Sequence, residues 1–117
     1  MIDYTPLVRE RFPAARCGGV DPVDMPTRPA DWHRVRAISG DGQSLSQLLL
    51  AVDIAIERGA WLVFVFHGIG GGHRLSVARE DFANLLARLA ADQRVQVLPF
   101  IDAARRCREE AGALKSP

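Results

Sequence analysis

Lysine is almost missing from this chain. Lys115 stands alone against fourteen arginines, in 117 residues carrying a net charge of +1. The arginines scatter along the whole length, a pattern of GC-rich codon usage rather than of a phosphate site. Charges of the two signs balance, so the basic face that nucleic-acid binding needs is lacking. An acidic, disordered tail is lacking too. Cysteine is scarce: Cys17 and Cys107 stand ninety residues apart with no CxxC, which excludes a zinc ribbon and a disulfide framework. Both are expected to be buried apolar thiols. No apolar run approaches the ~20 residues that cross a bilayer, and the first residues lack a basic stretch followed by an apolar one. The chain as given therefore reads as cytoplasmic, with neither nucleic acid nor membrane as a partner.

What is present is one domain's worth of chain, since soluble domains run to ~100–200 residues. Residues 1–43 are expected to be loop-rich, broken by Pro6, Pro13, Pro22, Pro26 and Pro29 and by Gly18 and Gly19. Within them we expect a brief helix over Leu7–Phe12, an extended piece over Ala14–Cys17 and a short strand over Val35–Ile38. Asp21 and Asp24 sit among prolines, where turn formation is the default role. His33 lies in a polar loop and is expected to be solvated.

Residues 44–112 are regular. Ser44 and Gln47 have capping-box spacing. Leu45, Leu48, Leu49, Val52 and Ile56 follow at helical spacing, and Gly59 suits a left-handed C-terminal position. Trp61–Phe66 is a continuous apolar run that fits a strand buried on both faces. A glycine-rich loop, His67–His73, leads to Ser76 as an N-cap. Phe82, Leu85, Leu86 and Leu89 form the stripe of the next helix, with Glu80 and Asp81 in its first turn. Val95–Leu98 is a second strand, and Ile101–Ala111 a last helix stopping at Gly112. Strands alternating with helices indicate an α/β fold with a parallel sheet.

In such folds the chemistry gathers where strands end. His67 follows the most convincing strand, where an imidazole can exchange protons near neutral pH. The alternative is a histidine that only caps the strand. The glycine loop is no dinucleotide fingerprint, because the third glycine is missing, and no P-loop, because no lysine follows it. Its His-Gly-x-Gly-Gly pattern is similar to the oxyanion loop of α/β-hydrolases. The serine elbow of those enzymes has no counterpart, since Ser39-Gly-Asp-Gly-Gln-Ser44 does not supply one. His67 and His73 could share a metal, but no third ligand has suitable spacing.

One ordered set of segments is distinctive. Phe12-Pro-Ala-Ala-Arg16 is followed by Ile56-Glu-Arg-Gly59 and Ala60-Trp-Leu-Val-Phe-Val-Phe-His-Gly-Ile69. Val77-Ala-Arg-Glu-Asp-Phe82, Leu85-Leu-Ala-Arg-Leu89 and Val95-Gln-Val-Leu-Pro-Phe-Ile-Asp-Ala-Ala104 complete the set. From Val8 to Arg106 the chain resembles the C-terminal half of a polysaccharide deacetylase, of the NodB-homology carbohydrate esterases. The resemblance implies a partial (β/α) barrel and metal-dependent removal of N- or O-acetyl groups from a glycan. It implies His67 as the general acid and Val65 as a wall of the acetyl-methyl pocket, where leucine is more usual in the family.

The family's Asp-Asp, His-x-x-x-His and Arg-x-Pro-Tyr motifs have no counterparts here. The resemblance therefore implies no metal ligand in this chain, although the intact family uses a divalent metal such as zinc. No role is carried over to Asp31-Trp32. The chain is accordingly expected to be a truncated or split deacetylase half, inactive alone, which self-associates or takes up a complementary N-terminal half. A non-catalytic binding module on the same half-barrel and an α/β-hydrolase-like esterase fragment are the alternatives.

Overall fold

A computed structural model describes residues 5–71 and 76–115. Helix α1 (Thr5–Arg11) leads into strand β1 (Arg16–Gly19), a 3-10 turn (Pro22–Asp24) and strand β2 (Val35–Ser39). Helix α2 (Leu45–Arg58), strand β3 (Phe64–Val65), helix α3 (Arg79–Ala91) and helix α4 (Phe100–Lys115) follow. The three strands form one parallel sheet in the order β1-β2-β3. Arg16 lies opposite Val35, and Ile38 and Ser39 lie opposite Phe64 and Val65. The fold is α/β.

Helix α2 is written locally. The Ser44 hydroxyl accepts the Gln47 N–H at 3.3 Å while the Gln47 side chain accepts the Ser44 N–H at 2.8 Å, closing both halves of a capping box. Gly59 ends the helix at φ 61°, and its N–H reaches back to Ala55 and Ile56. The buried stripe of α2 straddles two clusters. Ala51 and Ala55 pack with Met25 and Ile38. Leu48 and Val52 pack with Val77 and Leu85. Fully burying a side chain such as Leu48 contributes about 1.5–3 kcal/mol, and this helix joins the two clusters.

Helix α4 is fastened differently. The Trp32 and Trp61 rings stack at 6.4 Å, Trp61 meets Phe100 at 5.1 Å, and the Arg108 guanidinium lies 4.8 Å over Trp32. Such cation–π contacts are worth about 0.5–2 kcal/mol. They tie the helix to the loop before β2.

Several expectations change. The strand expected over Val35–Ile38 is β2, and the extended piece expected over Ala14–Cys17 lies two residues further on, as β1, where it pairs with β2. The Trp61–Phe66 run pairs only at Phe64 and Val65, and its residues are half-buried rather than covered on both faces. Among the described residues no strand pairs with the outer edge of β3. Val95–Leu98 forms no strand, and Val97 is 67% exposed. It is too short to hold an extended form without a neighbour, which is the usual fate of an unpaired strand in water. Ser76 is not the N-cap of α3; Ala78 is, without a side-chain bond. Gly112 lies inside α4 instead of stopping it. Among the described residues no helix is long and apolar enough to cross a membrane.

Candidate functional site

The carboxyl ends of β2 and β3 lie side by side, and each carries one ionisable residue two positions beyond its last strand residue. These are Asp41 and His67. The strands deliver them together because the Gly40 N–H donates to the Val65 carbonyl at 2.8 Å, continuing the ladder past β2. Gly42 then takes φ 69°, a conformation glycine adopts at little cost. Its N–H donates to the Ser76 carbonyl at 2.9 Å. The chain turns sharply there, just before α2.

Asp41 holds His67 in two places. The His67 backbone N–H donates to Asp41 Oδ1 at 2.9 Å, and His67 Nδ1 lies 2.5 Å from Asp41 Oδ2. The Asp41 N–H donates in turn to the Ser39 hydroxyl at 3.3 Å. The Asp41 side chain is only 7% exposed, whereas that of His67 is 58% exposed. The backbone N–H of His67, followed by its ring, holds the Asp41 carboxyl below the usual carboxylate range; burial opposes them and is outweighed. An ionised Asp41 has no proton to give, so Nδ1 carries the hydrogen of the pair. Nε2, with no hydrogen-bond partner among the described residues, is the nitrogen left to face a ligand. A carboxylate-oriented imidazole of this kind can accept or donate a proton at a fixed place.

His67, selected from sequence as the catalytic residue, thus lies at the strand end with its ring oriented. Val65 sits at the end of β3 and lines an open apolar groove with Val8, Phe12, Ala14, Val63 and Phe100. His67 does not line that groove. Asp41 was missed by sequence reasoning, which weighed its segment only as a failed serine elbow. A usable signal existed: both residues stand two positions after a strand, in neighbouring βα turns.

The other candidates separate. His33 is not solvated: its side chain is 14% exposed, and Nε2 lies 2.7 Å from the Phe12 carbonyl. Its backbone N–H donates to Asp31, which also pairs with Arg9, so the imidazole fixes the end of α1. Cys17 and Cys107 are free and half-buried rather than core, and partial burial pushes the Cys107 thiol up. His73 lies outside the described residues. Among the described residues, no three His, Cys, Asp or Glu side chains gather as a metal site would require. The described residues do not fit the divalent metal of the deacetylase family. Comparison of the chain with protein-family models, with curated proteins and with solved structures yields no match.

Proposed function

We propose that this chain is the proton-transferring half of a polysaccharide-deacetylase-like hydrolase, built on part of a (β/α) barrel and inactive by itself. One observation carries the reading: an exposed imidazole at a strand end, held at Nδ1 by a covered carboxylate. In hydrolysis of an acetylated amino sugar, the C–N bond breaks and the nitrogen must leave with a proton. His67 donates that proton from Nε2, and Asp41 fixes the ring. Positioned acid catalysis of this kind contributes about 10²–10⁴-fold. Val65, in the adjoining groove, would border the acetyl methyl. The groups that activate water lie outside these residues, in a complementary N-terminal half.

The test is to co-express the chain with the polypeptide encoded directly upstream and to measure acetate release from acetylated glycans. The expected result is release that falls at least 100-fold with His67→Ala. An upstream frame without Asp-Asp and His-x-x-x-His motifs, or a pair that releases no acetate, overturns the reading. A second reading, a non-catalytic binding module, is favoured by the open groove beside β3, where Phe12 is 57% exposed. It requires that binding of the partner survive with no acetate released.

A further inference from the structure

Asp41 can hold His67 in place only if its own backbone is held. It stands at the second position of a tight turn, closed by the Gln43 N–H, which donates to the Gly40 carbonyl at 3.2 Å. Gly42 follows at φ 69°, and its N–H donates to the Ser76 carbonyl at 2.9 Å. Both bonds join backbone groups to either side of Asp41. The bond to Asp41's own backbone comes from a side chain: its N–H donates to the Ser39 hydroxyl at 3.3 Å.

A serine that accepts from the N–H two residues on is a local turn device, its hydroxyl standing in for a backbone carbonyl. Ser39 is the last residue of β2 and lies opposite Val65, the last residue of β3. The ladder fixes the serine, and the serine fixes the residue that carries the carboxylate. The His67 N–H and then its ring do most to hold the Asp41 carboxyl below its ordinary value, and the Ser39 hydroxyl adds to them. Ser39 is exposed and belongs to neither core cluster. Packing therefore gives no reason for a hydroxyl at this position.

We propose that Ser39 is the positioning residue of the Asp41–His67 pair, acting through its hydroxyl on Asp41 rather than on substrate. With the Asp41 N–H anchored, the carboxylate meets the His67 N–H and Nδ1 at once. Without the anchor the turn keeps its outer bonds, but Asp41 turns about its own backbone and its grip on His67 loosens. The hydroxyl thus sets how constantly Nε2 is aimed. The catalytic meaning of that aim rests on reading His67 as the acid of a hydrolase; the positioning itself does not.

The experiment compares Ser39→Val with Ser39→Thr in the full chain. Both replacements are β-branched and suit a strand, and only threonine keeps the hydroxyl. The readout is hydrogen exchange, by NMR, of the His67 backbone N–H, which bonds to Asp41 and not to Ser39. Losing an ordinary hydrogen bond shifts an equilibrium about 5-fold, so this amide should exchange about 5-fold faster in Ser39→Val. Ser39→Thr should match the wild type. The hydrogen on Nδ1 of His67 should broaden in the valine protein and persist in the threonine one. Amides of α2 such as that of Val52 should keep their wild-type rates in both. Wild-type exchange at His67 in Ser39→Val, or equal acceleration in the two variants, overturns the proposal. So does acceleration that spreads through α2, which would mark a structural role only. With the complementary half supplied, acetate release should fall in Ser39→Val through kcat, with KM kept, and return in Ser39→Thr. Full release by Ser39→Val sinks the role of Ser39 alone, and the exchange effect without acetate release from any version sinks the hydrolase reading alone.

Discussion

The Phe66 ring lies flat over Gly40, so close that a Cβ at residue 40 would stand 2.0 Å from Phe66 Cε1. This contact brings the ends of β2 and β3 near enough for Asp41 to reach His67. The ring has little room to retreat, because it meets Phe82 edge-on at 5.2 Å and Phe64 at 5.7 Å. Gly40→Ala should therefore destabilise the fold by about 1–3 kcal/mol, the usual cost of overpacking. Urea denaturation measures it. A loss under 0.5 kcal/mol would mean that the ring moves freely and does not set the site, since ~1 kcal/mol is the lower end of such costs.

Asp41 makes stability depend on acid. Its carboxyl is held below the ordinary value of 3.8, chiefly by the His67 N–H and ring. A depressed folded-state pKa adds stability that is complete above the unfolded value and disappears as pH falls through the folded one. Wild type should therefore lose stability below about pH 4 more steeply than Asp41→Asn. Asp31 and Asp92 are shifted the same way, the latter to about 2 by Arg94, but both remain in the variant and cancel in the difference. Parallel acid titrations of the two proteins by circular dichroism should converge as pH drops. Nitrogen NMR gives a second readout: a hydrogen on Nδ1 of His67 in the wild type, lost from that position in the variant.

Legibility followed the range of the interactions. Helix α2 could be read from Ser44 to Gly59 because its cap, stripe and stop are all local. Strand β2 was visible over Val35–Ile38, and His67 was visible as the residue after an apolar run. Asp41 was not, because its meaning depends on His67, 26 residues away and joined to it only once β2 and β3 pair. Val95–Leu98 had the composition of a strand, yet strand formation is decided by a neighbour, and among the described residues none pairs with it. His33 lost its expected solvation to Phe12, just past α1, whose carbonyl lies against the ring. No local pattern encodes such an approach.

The two ends of α2 allow a matched pair of tests. Ser44→Ala removes the acceptor for the Gln47 N–H and should cost about 1 kcal/mol, as N-caps do. Gly59→Ala places a side chain at φ 61°, where nothing lies within 4 Å of the new Cβ. Any loss there is backbone strain alone, about 1–2 kcal/mol. Gly59→Asn should lose less, because asparagine tolerates this region better than alanine. Equal midpoints for the alanine and asparagine proteins in thermal or urea unfolding would contradict that assignment.

The groove beside β3 is the last consequence of an unfinished sheet. Val63, Val65 and Phe100 form one side, α1 contributes Val8 with Phe12 just beyond it, and Phe12 is 57% exposed. An edge strand with unpaired backbone groups next to apolar side chains is a template for association, and parallel strands are normally covered on both faces. The isolated chain should therefore bind an apolar dye and scatter light as more than a monomer, with the complementary half displacing both signals. Phe12→Glu puts a charge on the rim without touching the core clusters. Losing a central aromatic anchor costs about 2 kcal/mol, roughly 30-fold in dissociation constant. The variant should thus be monomeric at concentrations where the wild type is not. A wild-type chain that is monomeric and dye-silent across that range would show that the groove is closed by the chain itself, and the half-barrel reading would lose its physical basis.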